Sequence, residues 1–177
     1  MKDRNAGYRA INFCTTENSS AEADDAVLIV GYSIRCGVLA SYLQQEAYWS
    51  YAWQKLAKLG KNCEKTDNLL SKLSLFVDNV LASSTRNLDI LPNGCPGLCR
   101  DECLAVSIIV ASQLGPCPAL KACAFALLEN YHMEPCLTAA VSFGAALKET
   151  GASLSTTVLD DCLKWTLQKN DQKFFHA

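Results

Sequence analysis

Three cysteines, Cys95, Cys99 and Cys103, recur at steps of four, so on a helix their sulfurs would stack along one face. Cys117, Cys123, His132 and Cys136 follow closely enough to meet them across a helical hairpin. Thiolates converging inside a helical bundle suit a soft ion, copper(I), or zinc where four ligands close a tetrahedron. Zinc ligands usually arrive in tight Cys-x-x-Cys pairs, and the ten cysteines of this chain include none. The competing use of these thiols is packing. Cys36, Cys103, Cys123 and Cys162 lie among apolar neighbours at helical spacing, where a reduced cysteine behaves as a small apolar side chain.

Catalysis is not expected. A cysteine nucleophile needs a histidine within hydrogen-bond reach and a group to orient it, and the only histidines are His132 and His176, neither in a recognisable motif. No Gly-rich phosphate loop, His-Glu-x-x-His zinc signature or Gly-x-Ser-x-Gly elbow is present. Asp160 and Asp161 fall among solvent-type residues and read as a solvated helix face.

The elements that must position these residues are helical. Residues 103–111 and 119–128 are dense in apolar side chains and separated by a Gly-Pro-Cys-Pro break, which predicts a buried hairpin within a core spanning 98–148. Upstream, Asp24 and Asp25 suit a helix N-terminus. Leu28, Tyr32, Cys36, Leu39 and Leu43 then predict its apolar stripe, widened by Val27, Ile34 and Val38. A second helix places Trp49, Trp53, Leu56 and Gly60 on one side, its lysines mainly elsewhere, with Gly60 a candidate stop. Asp67 is a candidate cap for a helix over 69–82 with Leu70, Leu73, Val77 and Leu81 inward. Residues 83–97 form a loop, with Pro96 suited to a helix start. After Pro135 a helix runs over 136–148, and a last one uses Leu154, Val158, Leu159, Cys162, Trp165 and Leu167. Residues 1–22 lack periodicity and read as a flexible leader, 23–170 as the domain, and 171–177 as a frayed tail.

Composition bounds the class. With 177 residues, half of them apolar, the chain can bury a sizeable core. A net charge of −2 with scattered basic residues argues against nucleic acid as a partner. No apolar run approaches the roughly twenty residues of a bilayer span, and no apolar stretch follows the basic N-terminus as in a secretory signal. The expected compartment is the cytoplasm, with most thiols reduced.

Three stretches together resemble the B-cell lymphoma 2 family of apoptosis regulators. Residues 56–61, Leu-Ala-Lys-Leu-Gly-Lys, resemble the family's Leu-x-x-x-Gly-Asp helix, with Lys61 standing where the acidic residue belongs. Residues 141–147, Val-Ser-Phe-Gly-Ala-Ala-Leu, are similar to its central-helix sequence, although the Asn-Trp-Gly-Arg signature before it is replaced by Met133, Glu134, Pro135 and Cys136. The last helix, with Trp165 followed by Phe174 and Phe175, resembles its closing segment. The resemblance implies a partner's amphipathic helix laid in a hydrophobic groove, with Trp53, Leu56, Leu59, Gly60, Phe143 and Gly144 as partner-binding residues.

The sequence therefore predicts an all-α, single-domain bundle of six or seven helices around a buried apolar hairpin. It predicts a protein–protein interaction module, in its most specific form an apoptosis regulator, and not an enzyme. Two alternatives stand beside it: a cysteine-lined copper(I) or zinc bundle, and a helical structural or dimerisation protein, homodimeric through its aromatic patch at residues 48–53.

Overall fold

A computed structural model describes residues 21–115 and 117–160, and the side chains of these except 21–24. Six helices lie within them: α1 (Ala21–Leu43), α2 (Ala47–Gly60), α3 (Cys63–Ser83), α4 (Arg100–Gln113), α5 (Pro118–Leu128) and α6 (Glu134–Glu149). A seventh opens at 157–160, and no strand occurs among the described residues. The chain is an all-α, single-domain helical bundle. Residues 1–20 of the leader, the tail, Cys162, Trp165 and Leu167 lie outside the described residues, while Ala21 and Glu22, read as leader, are already helical.

Two helices are enclosed by the others. In α4 every residue from Asp101 to Ala111 is buried, so Ser107, Ile108, Ile109 and Val110 all face protein whichever way they point. α1 is nearly as enclosed between Val30 and Val38. α1 packs on α2, α3 and α4, α3 packs on α6, and α4 packs on both α5 and α6. The hairpin partner α5 buries only one face, Cys123, Ala124, Leu127 and Leu128.

Enclosure explains where the expected stripes shift. Along α1 the residues deepest in the core are Val27, Val30, Ile34 and Val38, whereas Leu28 and Tyr32 are half-buried and Leu43 is half-exposed. A helix apolar on all sides carries no polar face to set its orientation, so periodicity finds buried Cys36 and the widening residues Val27, Ile34 and Val38 but centres the stripe to one side of them. Its buried serine needs no distant partner, because Ser33 Oγ donates 2.7 Å to the Ile29 carbonyl one turn back. Over Asp25–Leu43, 19 residues, α1 is long and apolar enough to cross a membrane by length and composition alone, which corrects the expectation that no run comes close. Most of that stretch is buried in the bundle.

α3 begins four residues ahead of Asp67, capped by Asn62, whose Oδ1 accepts the Lys65 N–H at 2.8 Å. Asp67 instead accepts the Trp53 indole N–H at 2.7 Å and ties α2 to α3. The inward residues of α3 are Leu69, Leu73, Phe76, Val77 and Val80, with Leu70 and Leu81 packed at the core's margin. α4 starts at Arg100, so Pro96 belongs to the loop before it.

At the far end of α4 one side chain joins three segments. Gln113 Nε2 donates to the Gly144 and Ala152 carbonyls, both at 3.2 Å, and its Oε1 accepts the Leu154 N–H at 3.0 Å. A buried amide satisfied on both atoms fixes α4, α6 and the 152–154 segment together.

Candidate functional site

The loop between α3 and α4 is built on two buried carboxylates. Asp101 and Glu102 stand in the first turn of α4, where unpaired amides and the helix dipole favour negative charge. Arg35, from the middle of α1, meets Glu102 in a forked pair, Nε to Oε1 at 2.6 Å and Nη2 to Oε2 at 2.9 Å. The two side chains are 1% and 0% exposed. Two of the three remaining guanidinium hydrogens go to the loop: Nη1 to the Cys95 carbonyl at 2.8 Å and Nη2 to the Gly97 carbonyl at 2.6 Å. Glu102 in turn accepts the N–H groups of Leu91 at 3.2 Å and Cys99 at 2.8 Å. Every charge taken out of water is thereby shared among several hydrogen bonds, which a buried pair requires.

Asp101 repeats the arrangement nearer the surface. It accepts from Arg86 Nη1 at 2.6 Å, from Arg86 Nη2 at 2.8 Å and from the Asp89 N–H at 2.9 Å. The Cys99 thiol, buried beside Glu102, is pushed up to about 12, first by burial and then by the carboxylate's charge. It stays protonated and donates to the Asp89 carbonyl at 2.8 Å.

This anchoring shapes a cleft of about 490 Å³ between α1, α2 and the 93–96 turn, lined by Tyr32, Cys36, Tyr51, Gln54, Lys55, Asn93, Gly94, Cys95 and Pro96. Gly94 makes the turn with φ +90°, a conformation that a side chain would strain. Tyr32 ties α1 to the cleft wall, its hydroxyl oxygen accepting the Gly97 N–H at 3.2 Å. Two cations address its ring, Arg35 at 4.9 Å and Lys55 at 5.6 Å from the centroid. Burial raises the Cys36 thiol despite the opposing pull of Arg35 and Lys55.

A second surface feature is the outward side of α5. This helix of 11 residues carries one charge, Lys121, and turns Pro118, Ala122 and Phe125 to solvent. Phe125 is 41% exposed and Tyr131 82%, their ring centroids 4.9 Å apart, and Leu114 in the turn before α5 is 55% exposed.

The residues assigned to partner binding by resemblance are distributed through the interior. Leu56, Gly60, Phe143 and Gly144 are buried, and Trp53 and Leu59 are half-buried on α2. The Val141–Leu147 stretch lies on α6, packed against α3 and α4.

The cysteine stack does not form, because the helix on which it depends begins after two of its members. Cys95 is in the loop, Cys99 is the residue before α4, and only Cys103 is helical and buried. Cys117 is half-exposed, Cys123 and Cys136 are buried on α5 and α6, and His132 is exposed. Among the described residues, no three of His, Cys, Asp and Glu gather as a metal site.

The residues missed by sequence reasoning are Arg35, Glu102, Asp101, Arg86, Tyr32 and Lys55. One signal was available: Arg35 is the only charged residue between Asp25 and Glu46. Comparison with known proteins finds no matching family model, no matching curated protein and no matching solved structure.

Proposed function

We propose that this chain is a protein–protein interaction module that takes a partner's amphipathic helix on the outer side of α5. The observation carrying this reading is the exposure of Phe125, Tyr131 and Leu114 around a helix with a single charge. Exposed aromatic side chains in contact with one another, as Phe125 and Tyr131 are, suit an interaction site. Of the residues first assigned to the groove, Leu56, Gly60, Phe143 and Gly144 are taken up in packing the core, whereas Phe125 and Tyr131 are open to a partner. In its most specific form, taken from the resemblance to the B-cell lymphoma 2 family, the partner is a death-signal helix and the protein regulates apoptosis.

Fluorescence anisotropy with labelled amphipathic death-signal peptides tests both levels. Binding at micromolar concentration is expected, weakened at least about tenfold by Phe125→Glu, since a charge would then be buried opposite apolar side chains. Silence across the panel removes the apoptotic form. Binding indifferent to Phe125→Glu removes the α5 face.

A further inference from the structure

We propose that the cleft between α1, α2 and the 93–96 turn binds a small organic anion carrying a flat ring, held by Lys55 and stacked against the tyrosines. This site is separate from the α5 face and does not rest on the interaction reading above.

Charge is the first consideration. Among the described residues, Lys55 is the only charged one lining the cleft, and none of the lining is acidic. Among the described residues, no carboxylate pairs with Lys55. The Arg35 charge beneath is cancelled by Glu102, so the described lining carries the single positive charge of Lys55. Amides from Gln54 and Asn93 and the Tyr51 hydroxyl add groups able to donate to an anion.

Shape is the second. A volume of about 490 Å³ falls within the range of small-ligand sites. Its lining includes Tyr32, Tyr51 and Pro96, whose side chains supply apolar and aromatic surface for a ring.

Preorganisation is the third. The 95–97 wall would ordinarily be a mobile surface loop, yet three bonds from α1 hold it: Arg35 to the carbonyls of Cys95 and Gly97, and the Gly97 N–H to Tyr32. A cleft fixed from inside loses little further freedom on binding.

The probes are benzoate, phenyl phosphate, inorganic phosphate and neutral benzamide, titrated into the whole protein at low salt and followed by NMR shifts. Saturable binding of benzoate and phenyl phosphate is expected, with benzamide weaker because it lacks the charge and inorganic phosphate weaker because it lacks the ring. Preference for phenyl phosphate over benzoate would identify the anion as a phosphate, and the reverse as a carboxylate. Lys55→Gln should weaken benzoate by about tenfold, and Lys55→Arg should restore most of it. A local readout is available in the half-exposed Cys95 of the cleft wall: saturating benzoate should slow its alkylation by iodoacetamide and leave exposed Cys63 unaffected. Benzamide binding as tightly as benzoate, Lys55→Gln binding like the parent protein, or Cys95 alkylation unchanged by ligand would each overturn the proposal. A response by an acidic peptide alone, with none from the small anions, would overturn it in favour of a protein partner.

Discussion

Arg35 and Glu102, 67 residues apart in sequence, join the two enclosed helices through a two-point ion pair sealed from solvent. The pair also carries the loop between α3 and α4, because Arg35 donates to the Cys95 and Gly97 carbonyls and Glu102 accepts from the Leu91 and Cys99 amides. Glu102→Gln would leave the guanidinium buried with a neutral partner and should cost about 3–5 kcal/mol, read from urea denaturation. Arg35→Met combined with Glu102→Leu removes both charges and should recover much of that loss. The loop would still lack its anchors, so the double variant should be cleaved by protease within 91–97 faster than the parent. A double variant as unstable as Glu102→Gln would show that the hydrogen bonds to the loop, not the charge balance, dominate.

Much of the architecture was legible because apolar density, turn residues and length act locally. The breaks at Gly60, at 83–97, at Gly115 and before Pro135 all fall at helix ends or between helices. Orientation was less legible where a helix is enclosed: α1 offers apolar residues on every side, and only its neighbours decide that Val30 and Ile34 go deepest. The cap of α3 was misplaced because Asn62 and Asp67 are both good cap residues, and the demand of the Trp53 indole for an acceptor is a tertiary fact. The site was the least legible part. An arginine alone in an apolar helix implies a buried partner, and Asp101 and Glu102 before an apolar run are candidates. Nothing in spacing distinguishes such a partner from an ordinary acidic helix start.

The buried thiols make the protein sensitive to base. Cys136 is pushed up to about 12 by burial, and Cys99 to about 12 by burial and the neighbouring carboxylate, whereas an unfolded thiol titrates near 8.5. Between those values the folded state holds a proton that the unfolded state has released, so stability falls as pH rises. The contribution is fully present below about pH 8.5 and is lost by about 1.4 kcal/mol per pH unit per thiol above it. Cys136→Ala should therefore show a shallower decline than the parent in urea midpoints taken between pH 8 and 10. Parallel declines would mean that the Cys136 thiol ionises in the folded protein as easily as in the unfolded one.

Lys61 follows α2 in a left-handed conformation with φ 66°, which costs a residue bearing a Cβ about 1 kcal/mol. Lys61→Gly removes that strain, but a glycine also gives the unfolded chain more freedom. The net expectation is a gain of up to about 1 kcal/mol, seen as a rise in Tm. A fall would mean that the lysine side chain contributes more than the backbone strain costs.

Gly60 tests whether the Leu56–Gly60 pattern serves a partner or the fold. As the last residue of α2, it lies where the chain turns back into α3, and a Cβ built on it would stand 2.9 Å from both the N and Cα of Thr66. Backbone cannot step aside as a flexible side chain can, and Thr66 is itself buried and bonded through Oγ1 to the Asn62 carbonyl at 2.7 Å. Gly60→Ala should therefore destabilise the protein by about 1–3 kcal/mol despite alanine's better helix propensity. The calorimetric Tm of the variant measures this directly. If Gly60 instead meets a partner's backbone, the same substitution should leave Tm unchanged and weaken peptide binding. The two roles thus move different observables, and a variant that keeps its Tm would displace the packing explanation of this glycine.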